Sequence, residues 1–386
     1  MRVLIVDDNA MNVMVIQEML KRAGYEKISA SYSAEEMFEL LNAAGEQDSH
    51  SAMKIDLILL DMMMPTMDGI EACRLLQADS RYRDIPVIMV TAIGDSRKLA
   101  EALDAGASDF VTKPINKTEL LARIRSALRL KSELDWHKER DRRVREELNL
   151  ARQVQEAVLP EATAQDGVRV CAYFRASEEL AGDLYAWQQV GDRQWVFAVI
   201  DAMGHGISSS LVSMFVASVL KESMRTLQSP ERVFLDLNRR LMSLHPENEL
   251  VQYYCTGICV KFDLEQGTLE YANAGHPPGL LYADGQAVPE RLGATSAPLG
   301  MFESLEVGKR SMSIRPGDKL YLYTDGILGP FQGEDEEQIE QLTKFLQQAS
   351  EDEESMERLI HGQPLDGRSD DRCLVRVDIV TGEIKG

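Results

Sequence analysis

The chain has 386 residues, 42 basic and 63 acidic, for a net charge of −21. That length leaves room for two or three domains with their own cores, and the acidity argues against non-specific binding to nucleic acid or a membrane surface. No apolar stretch approaches the roughly 20 residues that span a bilayer, and Met1 to Asp8 is too short and too soon acidic for a secretory signal. Five dispersed cysteines (Cys73, Cys171, Cys255, Cys259, Cys373) form no zinc-type pair set and read as reduced thiols. The expected location is cytoplasmic.

Residues 1–124 alternate strand and helix patterns. Val3-Leu4-Ile5-Val6, Asp56 to Leu60, Pro86 to Val90 and Asp109 to Val111 are short apolar runs with helical patterns between them. This predicts a doubly wound parallel sheet covered on both faces. Asp7 and Asp8 end the first strand, Asp61 the third and Thr91 the fourth, and Lys113-Pro114 follows the fifth. The crevice of such a sheet lies at the carboxyl ends of its strands, so these residues converge. Asp8 and Asp61 can hold one Mg²⁺, with Asp7 acting through a water. Asp61 can attack a phosphoryl group, Lys113 supplies a point positive charge, and Thr91 a hydroxyl. Lys113-Pro114 is a candidate cis peptide.

This arrangement closely resembles the receiver domain of two-component response regulators. The resemblance implies a flavodoxin-like α/β fold, Mg²⁺ held by Asp7, Asp8, Asp61 and Met63, and phosphorylation of Asp61 by a histidine kinase or phosphotransfer protein. It also implies that Thr91, Phe110 and Lys113 form the switch.

Residues 125–160 lack glycine, are dense in charge, and hold no proline before Pro160. Leu130, Leu134, His137, Asp141, Val144, Leu148, Ala151, Gln155 and Val158 follow a heptad spacing with polar breaks. Two readings stay open: a coiled coil that makes a homodimer, and a solvated helix docked on a neighbouring domain.

Residues 161–386 read mostly as strands, with helices near 207–226, 231–244 and 334–349. Four aspartates end apolar runs beside glycine or another acid: Gly182-Asp183, Asp201-Ala202-Met203-Gly204-His205-Gly206, Asp325-Gly326 and Asp370-Asp371. Each reads as a strand delivering a carboxylate into a tight turn, where glycine lets the backbone approach an ion. Oxygen ligands without a Cys/His set suit Mg²⁺ or Mn²⁺.

With Ala151 to Pro160, Ala274-Gly275-His276-Pro277-Pro278 and Thr295 to Gly300, this ordered set resembles the PPM-type metal-dependent phosphatases, specifically their SpoIIE/RsbU-like branch. The resemblance runs from about residue 151 to 380. It implies an α+β, αββα sandwich with a two-metal Mn²⁺ or Mg²⁺ centre that activates a water for attack on phosphorus. Asp201 would bridge the metals, the Met203-Gly204 backbone would help hold one, and Asp183, Asp325 and Asp370 would fill the remaining carboxylate places. The implied substrate is phosphoserine or phosphothreonine on an anti-sigma-factor antagonist (STAS) protein. Ala181 stands where a second glycine is usual, Leu328-Gly329 replaces Thr-Glu, and Arg372-Cys373 follows the last Asp pair. None of these departures removes a carboxylate. His205 and His276 are candidate acid catalysts.

Two other classes compete. A non-catalytic output domain would use the same fold to bind a partner. An ATP-binding anti-sigma-type kinase would use Asp201 to Gly206 as an Asp-x-Gly-x-Gly loop, but would leave the other three aspartates idle.

Overall fold

The computed structural model describes residues 1–45, 54–92, 96–204, 206–244, 253–349, 352–362 and 370–381. Contacts divide the chain into two units, Met1–Val144 and Arg145–Gly386. The first runs β1 (Arg2–Val6), α1 (Ala10–Lys21), β2 (Lys27–Ser31), α2 (Ala34–Gly45), β3 (Leu57–Asp61), α3 (Gly69–Ala78), β4 (Val87–Thr91), α4 (Ser96–Asp104), β5 (Asp109–Thr112) and into α5 (Lys117–Val158). Its five strands are all parallel, in the order β2-β1-β3-β4-β5, which is the flavodoxin-like order. Alternate residues of β1 serve opposite cores. Val3 and Ile5 pack with Ile16, Leu120 and Ile124, while Leu4 and Val6 pack with Met37, Leu41 and Leu76. A sheet covered on both faces needs this two-sided burial, so its central strands read as continuous apolar runs.

The expected linker of residues 125–160 is not a separate element. It is the continuation of the last helix of the first unit, and α5 runs 42 residues without a break. Along it, Leu130, Leu134 and Val144 of the heptad seam are exposed, as an unpaired seam would be. Gln155, at a later seam position, is instead 6% exposed, and Val158 and Leu159 pack on the core of the second unit. The seam reading therefore fails at the C-terminal end of α5, where the helix docks on its own domain.

After β6 (Thr163–Gln165) and β7 (Val168–Arg175), the second unit continues through β8 (Asp183–Gly191), β9 (Gln194–Ala202), α6 (Ile207–Leu227), α7 (Pro230–Met242), β10 (Cys255–Asp263), β11 (Thr268–Ala274), β12 (Gly279–Tyr282), β13 (Glu290–Leu292), β14 (Arg310–Ser313) and β15 (Lys319–Tyr323). A 3₁₀ turn (Asp325–Ile327), α8 (Asp335–Gln348), α9 (Glu353–His361) and β16 (Arg372–Ile379) complete it. Two antiparallel sheets result, β14-β11-β10-β9-β8 and β13-β12-β15-β16-β7-β6. The β9 pattern explains their stacking. Trp195, Phe197 and Val199 point into the core between the sheets with Leu320, Leu322, Val375 and Val377. Their neighbours Val196, Ala198 and Ile200 face Val216, Leu220, Phe234 and Leu237 of α6 and α7. On the outer face of the other sheet, Leu280, Tyr321 and Tyr323 pack against Ile339, Leu342, Met356 and Leu359 of α8 and α9. The layers are helix, sheet, sheet, helix. At the start of α9 the Asp352 side chain caps the Glu354 N–H.

Candidate functional site

The first site lies at the carboxyl ends of β1, β3, β4 and β5. Asp7, Asp8 and Asp61 bring three carboxylate oxygens within 4.8 Å of one another, the only such trio among the described residues. Hard, crowded oxygen donors fit a divalent cation. Lys113 Nζ lies 2.9 Å from Asp7 and 3.1 Å from Asp61, and its bond to Pro114 is cis. Asn12 Nδ2 and the Asn9 N–H also donate to Asp7, fixing that carboxylate. Asp61 is almost buried. Burial raises its pKa and Asp7 adds to the rise, while the Lys113 hydrogen bond and the Met63 N–H oppose it. Burial pulls Lys113 down, but its bonds to Asp7 and Asp61 outweigh that and leave it raised.

Thr91 is fully buried at the end of β4, its hydroxyl 3.4 Å from the Met62 sulfur. Phe110 is half-buried beneath the Arg123 guanidinium, 5.4 Å from the ring centroid. Arg123, on the first turns of α5, is also paired with Asp109 and Glu119. Nothing in the sequence pattern singled it out, because an arginine among the charges of α5 reads as a solvated face.

The second site is built from both sheets of the sandwich. Asp183 and Asp201 are directly opposite residues of paired β8 and β9. Asp325 follows β15, and Asp370 with Asp371 precedes its neighbour β16. A cavity of about 720 Å³ is lined by Asp201, Asp325 and Asp370 together with Thr256, His276 and Arg372. Asp183 is buried beside it, 3% exposed, and accepts a 2.7 Å bond from the Thr324 hydroxyl, which in turn accepts from the Cys373 N–H at 3.0 Å.

Burial raises Asp183 well above the usual carboxylate range, with Asp201 the largest charge acting on it. Asp201 is pushed up to about 8 by burial and then by Asp325, Asp370 and Asp371. Asp325, open at the cavity mouth, is raised by the low-dielectric walls around it and by Asp370. Among the described residues, none of Asp183, Asp201 and Asp325 has a cationic partner. Carboxylates this close repel one another unless they hold protons or share cations, so the donor set fits divalent metal. The set is wider than the receiver trio, since no three of its oxygens fall within 4.8 Å of one another.

Asp371 plays a different part. Its two oxygens accept from the Ser177 N–H at 2.7 Å and the Gly182 N–H at 2.6 Å. It thereby ties the loop that delivers Asp183 to the segment that delivers Asp370. Gly326, expected to let the backbone approach an ion, serves protein packing, since a Cβ there would lie 2.0 Å from the Asp371 carbonyl oxygen. Gly204 and Gly206 do hold left-handed φ values of 84° and 80°, which only glycine adopts readily. The Met203 N–H is taken by the Tyr254 carbonyl. Arg372 donates to the Leu359, Ile360 and Gly362 carbonyls and so closes the C-terminal end of α9.

His205 lies outside the described residues. His276 is buried, with Nδ1 2.9 Å from the Thr256 hydroxyl and Nε2 without a well-formed hydrogen bond. Burial lowers its pKa to about 3, so the ring is neutral at neutral pH and is not an imidazolium acid.

Among the described residues, no helix is long and apolar enough to cross a membrane. The family model for the response regulator receiver domain matches residues 3–125, and that for stage II sporulation protein E (SpoIIE) matches residues 191–380. The chain is 35% identical over 242 residues to the phosphoserine phosphatase RsbP of Bacillus subtilis, covering 60% of this chain and 58% of RsbP. It is 39% identical over 140 residues to the response regulator PleD of Caulobacter vibrioides, covering 36% of this chain and 29% of PleD. The chain thus spans less than two thirds of either relative. The solved SiaA-PP2C domain of Pseudomonas aeruginosa superposes with a TM-score of 0.52 at 18% identity, covering 62% of this chain and 98% of that domain, a likeness of fold. Strand order, carboxylate placement and family matches converge: residues 3–125 belong to the response-regulator receiver family and residues 191–380 to the SpoIIE family.

Proposed function

We propose that this protein is a metal-dependent protein serine/threonine phosphatase whose output is controlled by phosphorylation of Asp61. The observation that carries the reading is the convergence of Asp183, Asp201, Asp325 and Asp370 at one end of the sandwich, with Asp183, Asp201 and Asp325 raised in pKa and, among the described residues, without a cationic partner. In this reading the domains are the receiver at residues 1–124, the helix at 125–160 and the phosphatase at 161–386. The four carboxylates hold two Mn²⁺ or Mg²⁺ ions with help from the Met203-Gly204 backbone. Such ions, when bound, neutralise phosphoryl oxygens and lower the pKa of a coordinated water.

The chain's own residues do the rest. Asp201 gives up its proton before it can hold a cation, so metal binding competes with protons and weakens as pH falls below about 8. Thr324 fixes which Asp183 oxygen remains available, because its hydroxyl occupies Oδ2. Thr324→Val is expected to lower turnover about 10–100-fold, the usual loss for a group that orients a metal ligand. Turnover equal to wild type would contradict that role. Neutral His276 and Thr256 form the wall on which the leaving seryl oxygen would rest.

The receiver's Mg²⁺ would be held by Asp7, Asp8, Asp61 and the Met63 backbone, and a histidine kinase or phosphotransfer protein would supply the phosphoryl group. Thr91, Phe110 and Lys113 would respond to it. The substrate class is phosphoserine or phosphothreonine on an anti-sigma-factor antagonist, and the exposed seam at Leu130, Leu134 and Val144 would pair two copies. RsbP, named a phosphoserine phosphatase, supports the substrate class.

The test is Mn²⁺-dependent hydrolysis of p-nitrophenyl phosphate by the full chain, compared with Asp370→Ala. The expected result is turnover in the wild type that chelation and the substitution both remove. Wild-type turnover no higher than the variant's would favour a non-catalytic binding module instead. The ATP-kinase reading loses its basis, since Asp201 sits opposite Asp183 in an antiparallel sandwich and beside two more acids.

A further inference from the structure

One polar side chain buried beside the metal-binding carboxylates belongs neither to the loops nor to the sandwich. Gln155 lies three residues before the end of α5. Its Nε2 donates to the Ala181 carbonyl at 2.7 Å and its Oε1 accepts from the Ala181 N–H at 3.0 Å. The side-chain amide therefore satisfies both backbone groups of one residue, as a neighbouring strand would. Ala181 needs this, because residues 176–182 form no ladder of their own, and a buried peptide group left unpaired is costly. Two residues further on is Asp183.

The other holds on this loop come from the metal site itself. The Gly182 and Ser177 N–H groups go to Asp371, next to Asp370. The Gly182 carbonyl accepts from the Ala202 N–H, next to Asp201. Ala181 is also buried to 0% exposure, so water does not replace the amide. The loop carrying Asp183 is thus pinned to both strands that carry its fellow carboxylates, and to one outside element, α5.

We infer that Gln155 is a positioning residue through which α5 sets how tightly the Asp183–Asp201 pair holds divalent metal. This rests on the phosphatase reading. With the amide in place, the Leu180-Ala181 and Ala181-Gly182 peptides that lead into Asp183 are fixed. Without it, both Ala181 peptide groups must find other partners, and the turn that enters β8 at Asp183 loosens at the end of the β8–β9 ladder. Because α5 starts at Lys117 in the receiver and continues unbroken to Val158, any turn of the helix about its axis moves the amide off Ala181. The same geometry accounts for the polar residue at seam position 155: it serves the loop rather than a second helix.

The experiment titrates Mn²⁺ into the full chain by calorimetry and measures p-nitrophenyl phosphate turnover at saturating Mn²⁺, for wild type, Gln155→Met and Gln153→Met. Gln155→Met keeps the length and removes both bonds, while Gln153 is exposed on the same helix and controls for helix propensity. Expected is a Kd for Mn²⁺ raised about 10-fold or more in Gln155→Met, with turnover at saturating metal within about threefold of wild type and Gln153→Met unchanged. Hydrogen exchange should quicken at residues 177–183 in Gln155→Met. Equal Mn²⁺ affinity in the two variants overturns the inference. If Gln155→Met does not fold, Gln155→Glu is used, which keeps the acceptor for the Ala181 N–H and loses the donor. Wild-type affinity and loop exchange in that variant overturn the inference equally. Wild type that binds no Mn²⁺ overturns the phosphatase reading beneath it, which separates the two failures.

Discussion

Asp201→Asn should abolish metal-dependent hydrolysis and, in metal-free buffer at pH 8, make the protein more stable than wild type. The two effects share one cause. Asp201 is forced close to Asp183, Asp325, Asp370 and Asp371 in a site with little water, and burial with these neighbours raises its pKa to about 8. Its value in the unfolded chain is near the ordinary 3.8. The folded state therefore binds a proton that the unfolded state has released, and this contribution to stability is fully present below pH about 3.8 and lost as pH rises toward about 8. A neutral amide removes the repulsion at every pH. Taking the relieved repulsion as about 2 kcal/mol, the melting temperature should rise by about 5 °C at pH 8, and its fall between pH 6 and pH 8 should flatten. Hydrolysis should drop by more than the ~10–100-fold typical of losing a group behind the metal ligands, because Asn offers no charge to two cations. Thermal melts in chelator at both pH values check the first half and steady-state rates the second. Identical melting curves for variant and wild type would show that the acids do not repel one another as the geometry requires.

The second large effect is expected at Lys113, and it also has two signs. Lys113 bridges Asp7 and Asp61 at 2.9 and 3.1 Å, so in the proposed function it would lower the charge that attracts Mg²⁺ and would meet the incoming phosphoryl oxygens. Lys113→Ala should tighten Mg²⁺ binding several-fold, since one cation no longer competes with another. It should also slow phosphorylation of Asp61 by acetyl phosphate about 10²–10³-fold, the loss usual for one preorganised group that stabilises transition-state charge. Asp61→Asn should remove labelling altogether. Mg²⁺ titration and mass-spectrometric phosphate incorporation report the two signs independently. Weaker Mg²⁺ binding in Lys113→Ala would mean that the lysine organises the acids rather than competing for them.

The sequence exposes these sites unevenly, for physical reasons. Acids at the ends of β1 and β3 are legible because a parallel sheet converges its carboxyl ends, and β1, β3 and β4 announce themselves as solid apolar runs. Strand β2 (Lys27–Ser31) does not. It lies at the sheet edge, where lysine and serine are tolerated, so no apolar run marks it. The pattern of acids at the ends of apolar runs marks the residues that gather at the cavity, yet it cannot tell Asp370, which lines the cavity, from Asp371, which holds two backbone N–H groups. That difference is set by which neighbour turns inward, a tertiary fact. Helix α5 misled in the opposite way. Its spacing fits a continuous heptad seam through Gln155, but the final turns meet the protein's own core, and a polar residue at a seam position proves to be a buried hydrogen-bonding group. His276 resembled a catalytic acid by its place in a glycine- and proline-rich loop, and only its burial shows that it stays neutral.

The central claim is that the carboxylates of the sandwich form a metal-dependent phosphoester-hydrolysing centre under the control of Asp61. The most direct measurement is the Mn²⁺ titration of hydrolysis by the full chain, with and without acetyl phosphate, in wild type and Asp61→Asn. The account predicts saturable Mn²⁺-dependent turnover in both proteins, altered by acetyl phosphate in wild type alone. Turnover absent at every Mn²⁺ concentration, or unchanged by acetyl phosphate while Asp61 is demonstrably phosphorylated, would contradict it.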